Sequence, residues 1–374
     1  MTTSVVISGT GLWTPLHSIS NEELVEAYNA YAEKFNADNR TEIEIGELAA
    51  KPLSSAEFIE KASGIRSRYT YIKDGILDIT RMRPNIPKRA DDELSDQAEM
   101  AIHAAKKALS AANKTAADID AVIVSCAYTQ RSYPALAIEV QEALGIKGFG
   151  FDMLVACSAA TFALHRAYEM IAAGTAKGVL VINPELTSPQ VNYGDRDSHF
   201  IFGDVATALV VEAAETADAE HVYEIMSTKA VTSYSNNIRS NFGYVSRAND
   251  SDPFANDMLF HQEGRKVFKE VCPMAVEHIS EHLARHKLGS NDVSRWWLHQ
   301  ANINMNSLIS KKLLGREASL EEAPIVLDTY ANTASAGSII AFNLHHQDLV
   351  SGEIGLLCSF GAGYSIGSLI LKKH

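Results

Sequence analysis

A chain of 374 residues that is 46% hydrophobic can bury a large core, which at this length means two or three domains or one large doubled domain. A formal charge of −13 excludes a general nucleic-acid-binding surface, which needs a basic footprint. The four cysteines, Cys126, Cys157, Cys272 and Cys358, are irregularly spaced without a CxxC. They form neither a disulfide framework nor a zinc knuckle and suit a reducing compartment.

The stretch Met1–Ile7 has no basic n-region and no long apolar core, and no apolar run approaches the ~20 residues of a membrane span. The expectation is a cytoplasmic protein with no membrane segment. Ser20 and Glu23 have capping-box spacing, and Leu24, Tyr28, Tyr31 and Phe35 follow at helical intervals. They predict an amphipathic helix lying on the core, followed by a polar stretch from Asn36 to Glu47. This segment, 20–64, and an irregular one from Asp74 to Asp92 interrupt an otherwise regular alternation of strands and helices. Such insertions cover a cleft or build an oligomer contact.

The regular part begins with a helix from Glu99 to Ala112, an acidic turn Asp118-Ile119-Asp120 and a strand Ala121–Cys126. The apolar run Gly150–Ala156 predicts a buried strand that ends at Cys157. A helix from Ser158 to Ala173 follows, closed by Gly174. Strands Gly178–Asn183 and Thr207–Glu212 complete the set. The pattern then repeats: helix Ala275–His286, turn Asp292-Val293-Ser294, strand Trp296–His299, then strands Gly355–Phe360 and Gly367–Leu371. Alternating strands and helices predict an α/β protein with a mostly parallel sheet. Writing the pattern twice predicts a pseudo-twofold, five-layered α-β-α-β-α fold with halves 1–212 and 213–374. Loops at the strand ends of both halves would converge on one cleft.

Three residues with chemistry stand at the ends of apolar runs: Cys157, His299 and Asn332. A thiol at a strand-to-helix turn lies at the positive end of a helix dipole, which favours the thiolate. A lone cysteine also reads as a small buried hydrophobe, and a lone asparagine as a loop residue bonding its own backbone. A separate motif, His278-Ile279-Ser280-Glu281-His282, matches the HxxEH pattern of zinc peptidases. Its mate in the first half, Ala101–Ala105, lacks the motif, and it precedes an acidic turn rather than a cleft. A zinc-binding hydrolase is therefore the remote alternative, and no metal is expected.

Four motifs occur in order: Val155-Ala156-Cys157-Ser158-Ala159, His299-Gln300-Ala301-Asn302, Asn332 to Ser338, and Phe360 to Ser368; Phe202-Gly203-Asp204 also fits. On these the chain resembles the β-ketoacyl-acyl-carrier-protein synthase III enzymes of the thiolase superfamily, over nearly its whole length outside the two insertions. The resemblance implies a decarboxylating Claisen condensation of an acyl-CoA primer with malonyl-acyl carrier protein in fatty acid biosynthesis. It implies that Cys157 holds the acyl group, and that His299 and Asn332 donate to the malonyl thioester oxygen. An oxyanion hole would use the backbone N–H groups of Cys157 and Ala362. Arg196 and Phe58 would meet the nucleotide end of coenzyme A, although Phe58 replaces a common tryptophan and Ala62 a common arginine. Lys269, Lys311 and Lys312 would face an acidic carrier protein, with Asn304 replacing an arginine. Tyr133 would close the acyl pocket across a homodimer. Ser158, Ala159 and Ala160 are small where bulk would shorten that pocket, so a medium-chain primer such as octanoyl is expected. The coenzyme A thioester is a substrate, and no cofactor is expected. Polyketide-type and head-to-head acyl condensing enzymes of the superfamily use the same three residues and are the near alternatives.

Overall fold

The computed structural model describes residues 3–241, 248, 250, 252 and 255–374. Its strands are β1 (Val5–Trp13), β2 (His17–Ser20), β3 (Ser67–Thr70), β4 (Ala121–Cys126), β5 (Phe149–Leu154), β6 (Gly178–Glu185), β7 (Val205–Ala213), β8 (Tyr223–Ser235), β9 (Ile238–Ser240), β10 (Phe260–Gln262), β11 (Arg295–Leu298), β12 (Ile354–Gly361) and β13 (Gly363–Lys373). Nine of them form one sheet in the order β11-β12-β13-β8-β1-β7-β6-β4-β5. The first-half order β1-β7-β6-β4 recurs in the second half as β8-β13-β12-β11. The two halves meet where β1 pairs β8 through only Val6↔Glu224 and Ile7↔Tyr223.

The sheet is mixed rather than mostly parallel. β4 runs parallel to β5 and β6, and β11 parallel to β12. The last strand of each half folds back antiparallel, β7 on β6 and β13 on β12. A second correction concerns β5. The run was expected to be buried, yet β5 pairs only with β4 and leaves Phe149 and Leu154 about half exposed. An edge strand has one free row of backbone groups, so its apolar side chains lack a neighbour on that side.

The helices are α1 (Asn21–Asp38), α2 (Arg40–Glu44), α3 (Ala56–Ser63), α4 (Asp96–Ala111), α5 (Leu136–Leu144), α6 (Ala159–Ala172), α7 (Gly264–Arg285), α8 (Ile303–Leu314), α9 (Leu327–Tyr330) and α10 (Gly337–Leu344). They make the outer and middle layers. α4 and α5 cover the outer face of the first half, α4 over β1, β7 and β6, where Ala108 and Ala104 lie against Gly9 and Gly11, and α5 over β4 and β5. α7 and α8 cover the second half, with Val271, Ile279 and Ile309 against Leu356 and Ile370. α6 and α10 lie between the halves, where Leu164, Ala167, Ile339 and Ile340 share a core with both sets of strands. α7 begins at Gly264 rather than Ala275 and runs through Pro273, because Val267, Val271 and Cys272 bury its early turns.

The capping box at the start of α1 is present: Ser20 Oγ accepts the Glu23 N–H at 3.2 Å, and Glu23 accepts the Ser20 N–H at 3.0 Å. Leu24 and Tyr28 are buried, whereas Tyr31 and Phe35 are only half-buried. The same insertion supplies α3, which carries Phe58 and Ala62 to the cleft. Among the described residues no helix is long and apolar enough to cross a membrane.

Candidate active site

One cavity of about 380 Å³ brings Cys157, His299 and Asn332 together. Its other walls include Phe58, Phe200, Phe202, Phe260 and Met305. Phe202 and Phe260 meet edge to face at 4.7 Å between ring centres. A cavity with largely apolar walls that holds a thiol, an imidazole and a carboxamide suits a thioester that must reach a nucleophile away from bulk water.

Cys157 sits on the single 3-10 turn Ala156–Ser158 between β5 and α6, and Ala156 takes a positive φ of 44° to make the bend. The expected thiolate bias is overturned at rest. Burial pushes the Cys157 thiol up to about 12, and the nearby Glu185 carboxylate adds to the rise. The backbone N–H groups of Ala362 and of Cys157 itself lie near the sulfur and pull the other way. Desolvation outweighs what the helix start offers, so the resting nucleophile is a thiol. Gly361 explains how sulfur and strand end fit. A Cβ at Gly361 would stand 2.5 Å from Cys157 Cβ and 3.0 Å from Sγ.

His299 closes β11 and is 2% exposed, with its ring edge-on to Phe360 at 5.2 Å. Burial pushes it down to about 4, so the imidazole is neutral near pH 7. Its Nδ1 has no hydrogen-bond partner among the described residues. Gln300 braces this motif, donating to the Leu298 and Pro324 carbonyls and accepting the Val326 N–H.

Asn332 is pinned by its main chain. Its N–H donates to the Ile201 carbonyl at 2.9 Å and its carbonyl accepts the Gly203 N–H at 3.1 Å. Its Oδ1 accepts the Ala334 N–H at 2.9 Å. Only an oxygen can accept there, so the amide orientation is fixed and the NH₂ is the free end. The bland reading, an asparagine bonding its own loop, therefore holds alongside the chemical one.

The remaining sequence candidates fall in different places. The guanidinium carbon of Arg196 stacks 3.7 Å over the Phe58 ring, and Arg196 Nε donates to the Leu53 carbonyl at 2.7 Å. Phe58 and Ala62 line the cavity. Lys269 on α7 and Lys311 and Lys312 on α8 are exposed, and Lys311 pairs with Glu317 at 2.6 Å. These helices' first turns, at Gly264 and Arg265 and at the N-cap Asn302, line the cavity. Tyr133 is 85% exposed and does not line the cavity of its own chain. Ser158, Ala159 and Ala160 are fully buried and do not line it either. The start of α6 points into the middle layer: Ser158 Oγ donates to the Ser365 carbonyl at 2.9 Å, and Ala160 packs in the central core.

The HxxEH histidines are committed elsewhere. His278 Nε2 and His282 Nδ1 both meet Ser368 Oγ, at 2.9 and 2.7 Å, His282 Nε2 meets Ser227 Oγ at 3.0 Å, and Glu281 pairs with Lys229. Sequence reasoning missed the aromatic wall, the exposed Arg265 at the channel and the buried Glu185. Only Glu185 left a signal, a carboxylate at the end of a strand that opens with the apolar run Gly178–Ile182.

Residues 151–231 match the family model for 3-oxoacyl-[acyl-carrier-protein] synthase III, and residues 283–373 match the model of its C-terminal part. A relative from Pseudomonas aeruginosa, beta-ketodecanoyl-[acyl-carrier-protein] synthase, is 55% identical over 350 residues, covering 94% of this chain and all of its own. The chain belongs to the β-ketoacyl-[acyl-carrier-protein] synthase III family. It is an acyl-transferring condensing enzyme with the thiolase fold. A synthase III from Granulibacter bethesdensis is 28% identical over 372 residues, 98% of each chain. The crystal structure of the synthase III from Aquifex aeolicus VF5 matches with a TM-score of 0.75 at 24% identity, covering 98% of this chain and 99% of that one, a likeness of fold.

Proposed function

We propose that this enzyme condenses an octanoyl-CoA primer with malonyl-acyl carrier protein to give the 3-oxodecanoyl thioester, in the cytoplasm and as a homodimer. The 55% identity to the β-ketodecanoyl synthase across 94% of the chain carries the primer assignment. A decanoyl product less the two carbons that malonyl retains after losing carbon dioxide is octanoyl.

Two stages divide the residues. In loading, the Cys157 sulfur attacks the primer carbonyl and gives up its proton, which ends on the departing coenzyme A sulfur. The new C–S bond forms as the bond to the coenzyme A sulfur breaks, coenzyme A leaves as its thiol, and the Ala362 and Cys157 N–H groups face the developing oxyanion. In condensation, malonyl thioester loses carbon dioxide and its electrons form an enolate. The neutral His299 imidazole and the Asn332 NH₂ donate to that oxygen. The enolate carbon then attacks the acyl carbonyl, a C–C bond forms and Cys157 leaves. A cationic His299 would be a different catalyst; burial keeps it neutral.

Arg196 and Phe58 take the nucleotide end of coenzyme A, which requires their mutual stack to open. Lys269, Lys311 and Lys312 form the carrier-protein face, on the same helices whose first turns border the channel. Tyr133 completes the acyl pocket of the partner subunit, with the exposed β5 edge beside it. Ser158, Ala159 and Ala160 contribute only by being small. The P. aeruginosa relative and the exposed lysines favour this reading over polyketide-type and head-to-head condensation.

The test compares kcat/KM for octanoyl-CoA with that for acetyl-CoA at saturating malonyl-carrier protein. Each buried methylene is worth about 0.8 kcal/mol, so octanoyl should be preferred by well over tenfold. A preference for acetyl-CoA would overturn the primer assignment.

A further inference from the structure

β6 and β12 are counterparts in the two halves, eight residues each, ending on Glu185 and Gly361. Two turns are counterparts as well. Ala156-Cys157-Ser158 and Ala334-Ser335-Ala336 are each a single 3-10 turn, led by an alanine at φ 44° and 46°, and each feeds a middle-layer helix. Each strand end meets the turn of the opposite half. Gly361 leaves empty the space that the Cys157 side chain needs. Glu185 fills the corresponding space with a carboxylate. Its Oε1 accepts the Ser335 N–H at 3.1 Å and the Ser335 hydroxyl, and its Oε2 accepts the Ala127 N–H at 3.1 Å. Ser335 thus occupies the position equivalent to the nucleophile, with its hydroxyl consumed. Glu185 is wholly buried, which no carboxylate tolerates without such donors.

The Ser335 turn carries Asn332. The Ala334 N–H holds the Asn332 Oδ1, so the direction of the amide NH₂ follows the position of this turn. We propose that Glu185 is a positioning residue for condensation: its carboxylate locks the Ser335 turn and so aims the Asn332 amide at the thioester oxygen beside Cys157. This rests on the reading of Asn332 as a donor in decarboxylation. The titratable groups that face Glu185 are Asp204, Cys126, Tyr128 and Cys157. Its charge acts on Cys157, so removing that charge leaves a signature that loosened packing would not.

The experiment uses Glu185→Gln and Ser335→Ala in the full-length enzyme, with Asn332→Ala alongside. Three readouts are taken: decarboxylation of malonyl thioester, octanoyl loading of Cys157 by mass, and the pH midpoint of Cys157 alkylation by iodoacetamide. A mis-set amide should slow decarboxylation about tenfold to a hundredfold in E185Q and S335A, without slowing loading. The alkylation midpoint should move to lower pH in E185Q and stay put in S335A. Decarboxylation at the wild-type rate in both variants, with Asn332→Ala inactive, overturns the positioning role alone. Wild-type decarboxylation in Asn332→Ala overturns the assignment of Asn332 instead. If E185Q does not fold, S335A decides, because it keeps the charge and the backbone N–H donor and loses only the hydroxyl link.

Discussion

Gly361→Ala puts the fit between strand end and nucleophile to a direct test. The added methyl would lie 2.5 Å from Cys157 Cβ and 3.0 Å from Sγ, against about 3.5–4.0 Å for a relaxed carbon contact. The crowded Cβ sits directly on the backbone of the turn and is not the far end of a flexible side chain. The turn must therefore retreat by about 1 Å, and it is the turn that sets where the Cys157 sulfur sits in the cavity. A displacement of that size costs on the order of a hundredfold in rate. Overpacking a filled core costs about 1–3 kcal/mol, which leaves a protein of this size folded with a melting point only a few degrees lower. The assay is the rate of octanoyl addition to Cys157 from octanoyl-CoA, read by intact mass beside a thermal melt. Loading should be about a hundredfold slower in a folded protein. Loading within about threefold of wild type would refute the claim that this contact sets the sulfur's position.

Other outcomes follow from the same geometry. His299→Ala and Asn332→Ala should each load octanoyl on Cys157 but lose about 10²–10³ in malonyl decarboxylation; a wild-type decarboxylation rate in either removes that residue from the step. Lys311→Glu with Lys312→Glu should raise KM for malonyl-carrier protein and spare loading from coenzyme A, an effect that salt weakens; an unchanged KM removes this patch. Burial pushes His199, His278, His299 and His346 down to about 4 and His282 down to about 3. Below the ordinary value near 6.5 the unfolded chain therefore binds protons that the native one refuses. The melting point should fall as pH drops from 6.5 towards 4, because these five histidines outnumber the carboxyls of Glu185, Asp152 and Asp204, which burial raises and which act in the opposite direction; a melting point that does not fall across that window would contradict neutral burial.

The sequence made the doubled pattern legible because apolar periodicity and turn residues are local. Strand Ala121–Cys126 and the capped start of α1 needed nothing beyond their neighbours. The three chemical residues were readable because each ends an apolar run in a recognisable motif. Strand direction was not readable, since an apolar run looks the same whether its partner runs parallel or antiparallel. Nor was the state of Cys157. A helix start seen in one dimension suggests a thiolate, but desolvation and the Glu185 charge come from segments far away in the chain and reverse the balance. The small triplet after Cys157 showed the same limit: size is written in the sequence, whereas direction belongs to the packing that turns α6 into the middle layer. Glu185 and Gly361 carry the lesson furthest. Each ends an ordinary strand of its own half, and each acquires its meaning only where the fold sets that end against the turn of the other half. Local interactions selected the elements of this protein; long-range packing, which fixes burial and the sign of electrostatic effects, made the site.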